Sequence, residues 1–498
     1  MPKPKALSFS LSAFALCLAS PALAVTADDL WAEWQAQSTA MNQTLAAESV
    51  VSGDGNLTLT GFTSTYTDGE VTTVARLDEI VLTENADGTV TIDVSDVYAI
   101  TVTFVPDPGT PPVNLGFNIV APDLIVTASG EVGARVYDYT ASRITLEDGP
   151  ISGGDGPPPT IDMTIGIEDF AATYEIDGTN PENFAYSSSS SFSGIAGVID
   201  VLPPPDEVGR LKLAFSIGAT TASGSGQLGN LAELAENPDT IPAGFDVTGD
   251  VTYASSSLDL TFEHPTDAFN LFVSNRGGSL GATVSETLID YRITSTESSS
   301  HFASGDLPVP VEFSVGSAEI ALSVPLAASP EEQPVAARLA YQDVVVSPQV
   351  WALADPQGAF PRDPITVIAD LTGAVQVTTN LLGSDPSTMT APPGELRNLT
   401  LNELRITAGG ATLTGSGSAE FAPGPVPQPV GSVDLQLSGG NALLDTLQGA
   451  GIVPIEQLAM VRGMLGAFAR PGATPDTLES TIEFTEGGGI TANGVPLQ

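Results

Sequence analysis

The 498 residues carry 60 Asp and Glu against 15 Lys and Arg, a formal net charge of −45. A surface of that sign repels nucleic acid and anionic headgroups, and no basic stripe offsets it. Hydrophobic residues at 42% exclude wholesale disorder, while Gly (50), Pro (39) and only 6% aromatics predict short strands joined by many turns.

Residues 1–24 read as a signal peptide: Lys3 and Lys5 precede an apolar run from Ala6 to Ala19, and Ala22-Leu23-Ala24 is a small-residue cleavage motif that places the cut after Ala24. The run is shorter than the roughly 20 residues of a membrane span. Cys17 is the sole cysteine, so the mature chain is expected to lack disulfides, thiol nucleophiles and cysteine-bound metal, and Lys212 is its one lysine. Length predicts about three domains. The expected divisions are 25–205 (N-terminal helix plus β-rich region), 206–345 (central β-rich region) and 346–498 (C-terminal β-rich region with a helical hairpin at 441–470).

The segment DLWAEWQAQSTAMNQTLAAE predicts a helix capped by Thr26, with Asp28 and Asp29 in its first turn and Leu30, Trp34, Met41 and Leu45 on one face. After Ser52-Gly53-Asp54-Gly55 the period changes to two. Val90, Ile92 and Val94 share one face of a strand whose hairpin partner is VTTVARLDEIVLT, across the Asp87-Gly88 turn. Asn85-Ala86-Asp87-Gly88 lacks the remaining ligands of an EF-hand loop and reads as that turn. The scattered acids suit solubility in a salty medium better than a cation-binding surface.

Alternation of apolar with Ser and Thr then recurs in YDYTASRITL, TIDMTIGIEDF, LKLAFSIGA, DVTYASSSLDLTF, LIDYRITST, VEFSVGSAEIALSV, ITVIADLTGAVQVTT and SVDLQLSG. This pattern predicts a mainly β protein of curved antiparallel sheets, each with one wet face, and a few covering helices. No fixed-length repeat favours a propeller or solenoid. Proline-rich breaks stand at 149–159, 202–207 and 422–431. Helices are expected at 227–237, at NALLDTLQGAG and at PIEQLAMVRGMLGAFAR. Ile455, Leu458, Val461, Leu465 and Phe468 form an apolar stripe on the last, expected to cover a sheet face; a lid or membrane-facing surface is the alternative.

Chemistry is sparse. His264 and His301 are the only imidazoles, and neither zinc nor phosphate-loop motifs occur. Gly277-Gly278-Ser279-Leu280-Gly281 fits the nucleophile-elbow string, with Asp290 and His301 following in the right order. That motif needs a strand–turn–helix junction, and the residues after it read as a strand. The acid pairs Glu331-Glu332 and Asp28-Asp29 carry no further sign of glycoside chemistry. No catalytic site, cofactor or metal is therefore expected.

The stretches VSPQVWALADPQGAFPRDPITVIADLTG and LRNLTLNELRITAGGATLTGSGSAEF, followed by GSVDLQLSGGNALLDTLQGAGIVP and STIEFTEGGGITANGVPLQ, resemble the alphaproteobacterial exported proteins grouped as domain-of-unknown-function family 2125. The most specific pieces are Trp351 with Asp355-Pro356, then Pro361-Arg362-Asp363-Pro364, and Asn493-Gly494. A more distant likeness is to AsmA-type envelope proteins. The resemblance implies an exported β-rich protein with no assigned activity and no catalytic residues. On physical grounds Trp351 is a core anchor, the Asp-Pro pairs set turns, and Asn493-Gly494 is a turn with φ > 0.

The expected function is a non-enzymatic periplasmic protein that binds an apolar, lipid-like ligand in a sheet groove, its partner a lipid or another envelope protein. The alternative is a secreted or surface-associated protein using its β surfaces for protein contact. An outer-membrane barrel is disfavoured by scarce aromatics and by the ending Val495-Pro496-Leu497-Gln498.

Overall fold

A computed structural model describes residues 25–40, 43–180, 183–230, 241–381, 392–422, 428–451 and 453–497. Strands take 63% of the described residues and helices 10%, which makes the protein mainly β as its alternating sequence requires. The signal segment with Ala24, and Met41, lie outside the described residues. Contacts divide the chain into two compact units: Met1–Pro158 with Gly166–Ser190 and Ser225–Gly244, and Pro159–Ile165 with Ser191–Gly224 and Phe245–Gln498.

The first unit is a sheet folded against one helix. Helix α1 (Ala27–Ala40) begins where Thr26 Oγ1 accepts the Asp29 N–H at 3.1 Å, the cap its sequence predicts. It ends earlier than expected: Leu45 sits in the strand Gln43–Ala46, paired antiparallel with Ser64. Leu30 is fully buried, with Trp31 and Trp34 beside it, against Leu57, Leu59, Leu82 and Val90 from the strands beneath. Trp31 meets Trp34 and Phe62 edge-on, at centroid distances of 6.4 and 6.2 Å. A buried ion pair locks the other flank of α1, Arg135 Nη2 to Glu33 Oε1 at 2.7 Å with Nε to Oε2 at 3.0 Å. Burial also pushes the neighbouring Tyr139 hydroxyl up to about 12.

Long strands in this unit alternate with rows made of two short strands in line. Val71–Glu84 pairs through Ile80–Glu84 with Val90–Val94 and through Thr72–Arg76 with Val97–Phe104. Those two pair in turn with Ile125–Glu131 and Val113–Val120, which share the two halves of the 20-residue strand Ala134–Gly153. The hairpin across Asp87-Gly88 forms as read, with Gly88 at φ 87 and Asp87 accepting from Thr89 N. Asp54 (φ 49) and Gly55 (φ 81) make the tight turn before Asn56–Asp68, a conformation glycine and aspartate tolerate.

In the second unit eight strands follow one another as an antiparallel meander: Leu288–Ser304, Val311–Pro325, Gln333–Val346, Ile365–Val377, Gly394–Ala408, Ala411–Phe421, Pro429–Ser438 and Thr477–Phe484. The short strands Ile490–Ala492 and Val495–Pro496 finish it; Asn493 (φ 51) and Gly494 (φ 80) form the expected turn between them. A short final strand with a proline leaves little free edge for pairing. At the other side, Leu288–Ser304 carries Gly278–Ser285 and Phe269–Asn275 in line along its two halves. DVTYASSSLDLTF falls into two strands, Asp246–Tyr253 and Ser256–Glu263.

Three further helices are described: α2 (Pro348–Ala354), α3 (Gly440–Gly449) and α4 (Ile455–Phe468). The helix expected at 227–237 is corrected at its start, where Gln227–Gly229 closes the strand Thr220–Gly229; residues 231–237 lie outside the described residues. Alternating burial along Thr220–Gly229 shows why, since Ser and Gly at every second place suit a pleated strand better than a helix.

Candidate functional site

Sheet pleating sorts the second unit into two chemically different faces. One cross-strand row runs through Leu280, Ile293, Ile320, Leu339, Ala369 and Leu404, each registered to the next. The neighbouring row on the other face holds Arg292, Ala321, Arg338 and Asp370. There Arg338 donates to Glu319 at 2.9 Å and to Asp370 at 2.6 Å, and Arg292 reaches Glu319 at 3.0 Å. The polar face thus satisfies itself.

The apolar row does not. Leu280 and Ile293 are each 45% exposed and Leu339 is 40% exposed. A second row, Ile199, Leu213, Leu260, Leu271, Phe302 and Val311, crosses six registered strands. Phe269 bridges its aromatic end, 5.7 Å from Phe262 and 6.2 Å from Phe302, and Phe302 remains 36% exposed. Single exposed leucines are ordinary, but rows of them on adjacent strands are not.

Two clefts open on the same unit. One of about 360 Å³ is lined by Phe272, Ser300, His301, Glu312, Phe313 and Pro348. His301 Nδ1 lies 3.0 Å from Glu312 Oε1. The other, about 650 Å³, is walled by Ser216, Ser257, Ser274 and Ser299, with Arg276 and Asp343 at its margin. These serines are consecutive register partners and bond to each other, Ser216 to Ser257 at 2.7 Å and Ser274 to Ser299 at 2.8 Å.

Ser279 lies within the strand Gly278–Ser285, its Oγ 2.7 Å from Thr294 Oγ1 on the paired strand. No strand–turn–helix elbow forms there. Asp290 and His301 share the strand Leu288–Ser304, and at about 3.3 Å per residue their spacing far exceeds a hydrogen bond. Ser279, Asp290 and His301 are therefore not brought together. Among the described residues no group of three His, Cys, Asp or Glu converges as a metal site, and no helix is long and apolar enough to cross a membrane.

Of the expected α4 stripe, Leu458 is buried and Leu465 and Phe468 are half-buried, while Ile455 and Val461 are exposed. At 3.6 residues per turn the five residues spread over about 140°, with Leu458 and Leu465 near the middle of that arc and Ile455 exposed at one edge. Trp351 is half-buried and stacks on Phe360 at 6.3 Å.

The Asp355 turn is a built feature of this unit. Asp355 is buried, and its carboxylate accepts the N–H groups of Ala359 at 3.0 Å and Phe360 at 2.9 Å. The Phe360 and Ala359 amides hold its pKa below the usual carboxylate value, overcoming desolvation. The stabilisation is present above the unfolded-state pKa and is lost as pH falls through the lower folded value. Asp355→Ala is expected to lower the urea midpoint at pH 7, with the gap to wild type closing below about pH 4. A gap that persists unchanged at pH 2 would assign the effect to packing instead.

Fold and site together define a class: a β-sheet protein that closes one apolar face with its own helix and leaves another open. Residues 253–497 match the family model described as an uncharacterized protein conserved in bacteria, DUF2125. This part of the chain, which holds the meander, belongs to that domain-of-unknown-function family. No curated protein matches the chain. Among solved structures, the ferric citrate transporter FecA in its unliganded form aligns at 8% identity over 91% of this chain and 76% of that one; its TM-score of 0.15 does not establish a common fold.

Proposed function

We propose that this is an exported, non-enzymatic protein of the periplasm that carries an apolar, lipid-like ligand on the open face of its second unit. The observation that supports this reading is the contrast between the two apolar faces. In the first unit Leu30, Trp31 and Trp34 of α1 fill the sheet's apolar side. In the second, Leu280, Ile293 and Leu339 of one row stay two-fifths or more exposed.

Full burial of a leucine-sized side chain yields about 1.5–3 kcal/mol, so each such residue leaves about 1 kcal/mol for an occupant to supply. The three exposed residues of the row thus contribute about 3 kcal/mol, and burial of the occupant's own methylenes, about 0.8 kcal/mol each, adds to this against the entropic cost of association. An acyl chain lying across the strands would supply that contact without polar partners, which the row lacks. The amino-terminal sequence, read as a signal peptide with a cleavage motif ending at Ala24, supports export, and the self-paired serines and ion pairs support a structural role for the polar groups.

Native mass spectrometry with lipid extraction, on protein purified from its own host's envelope, tests the reading. A stoichiometric co-purifying lipid is the expected result; a clean unliganded mass under gentle conditions would reject it and favour a protein partner for the same face.

A further inference from the structure

The helical pair α3 and α4 presents a ridge that the fold does not use. Leu444 and Leu458 are buried and attach the pair to its unit. The end of α4 is tied down, because the Phe468 carbonyl accepts from Ser480 Oγ at 2.7 Å and from Asn493 Nδ2 at 3.0 Å. Arg462 holds α4 to α3 through Asp445 at 2.6 Å. Yet Met460 is 61% exposed and Met464 53%, with Ile455 at 60% and Val461 at 38%. Met460 and Met464 are one helical turn apart, on the side of α4 away from Leu458.

Charge sets this ridge apart from the rest of the molecule. Between Asp445 and Asp476 the sequence holds one carboxylate, Glu456, against Arg462 and Arg470, in a chain of net charge −45. Elsewhere the acidic surface is repelled from membranes and from other copies of itself. Here a fixed, near-neutral crest offers two flexible, polarisable methionines flanked by small residues (Ala459, Gly463, Ala467), apolar surface with almost no charge of its own to set against an uncharged headgroup layer.

We propose that the outer ridge of α4 docks on the surface of a lipid bilayer, Met460 and Met464 entering between the headgroups. A second copy is disfavoured, since pairing ridges would bring two strongly acidic bodies together. The inference does not depend on what fills the sheet face, and the two can fail separately.

Flotation with neutral phosphatidylcholine vesicles at physiological salt tests it, using the chain from Val25 onward. The wild type and Val208→Glu, a change at a site 66% exposed outside the hairpin, are expected to float alike. Met460→Glu/Met464→Glu is expected to lose about tenfold or more of the bound fraction while keeping its unfolding midpoint and any co-purified lipid. Wild type that fails to float overturns the proposal, as does a double variant that floats like wild type. A dimer that the double variant abolishes, without vesicle binding, overturns it in favour of self-association.

Discussion

Glu33→Ala is expected to destabilise the first unit by about 3–5 kcal/mol, a large part of what holds a domain folded. The reason is the charge left behind. Arg135 is buried to 3% exposure, and its guanidinium donates twice to Glu33 and once to the Gly130 carbonyl. Removal of the carboxylate leaves a cation in a nearly dry site with one backbone oxygen. Urea unfolding followed by tryptophan emission reports on this directly, because two of the three tryptophans, Trp31 and Trp34, lie in the affected core. Replacing both partners, Glu33→Leu with Arg135→Met, is expected to recover most of the loss, since apolar packing replaces a buried pair at little cost. A single variant within about 1 kcal/mol of wild type would mean that Arg135 finds another partner or water.

The second large effect concerns the open face. Ile293→Asp with Leu339→Asp places two carboxylates within the apolar row, on side chains already two-fifths exposed. Stability is expected to change little, because each new charge keeps access to water. Lipid retention is expected to fall by a hundredfold or more, as a carboxylate buried under an acyl chain without a partner costs several kcal/mol. Ala321→Ser, in the row on the opposite face between Arg292 and Arg338, should leave retention intact. Lipid content read by mass spectrometry across the three proteins decides the matter; equal content in all would place the ligand elsewhere.

The buried pair and the open row differ in how far the sequence announces them. Alternation in VTTVARLDEIVLT and TVTIDVS identifies both strands and their turn because the whole signal is local. The same rule marks Ile293 in LIDYRITST as one-sided, yet whether a face is covered depends on a distant element. Only the first unit has an α1 to lay across its sheet. The Glu33–Arg135 pair joins residues 102 positions apart, and no pattern around either residue points to the other. The early end of α1 was hidden because Leu45 keeps helical spacing with Met41; pairing with Ser64 decides it instead. In-line rows were equally illegible, since Val90–Val94 and Val97–Phe104 look like successive hairpin strands and only their partners on Val71–Glu84 show them side by side along one row.

The meander of the second unit has a consequence for how the chain is assembled. From Leu288 to Ser438 every strand pairs with its immediate neighbour in sequence, so each hairpin can add to the one before. Growth of that kind is nearly one-dimensional, with stability accruing strand by strand. The first unit works differently: Val113–Val120 must wait for residues 145–153, past an intervening strand, before its second partner exists. One chain thus joins a slower, topologically committed part to a meander that can add strand by strand. In the latter, gain or loss of a hairpin changes the length of the apolar track and leaves its cross-section alone.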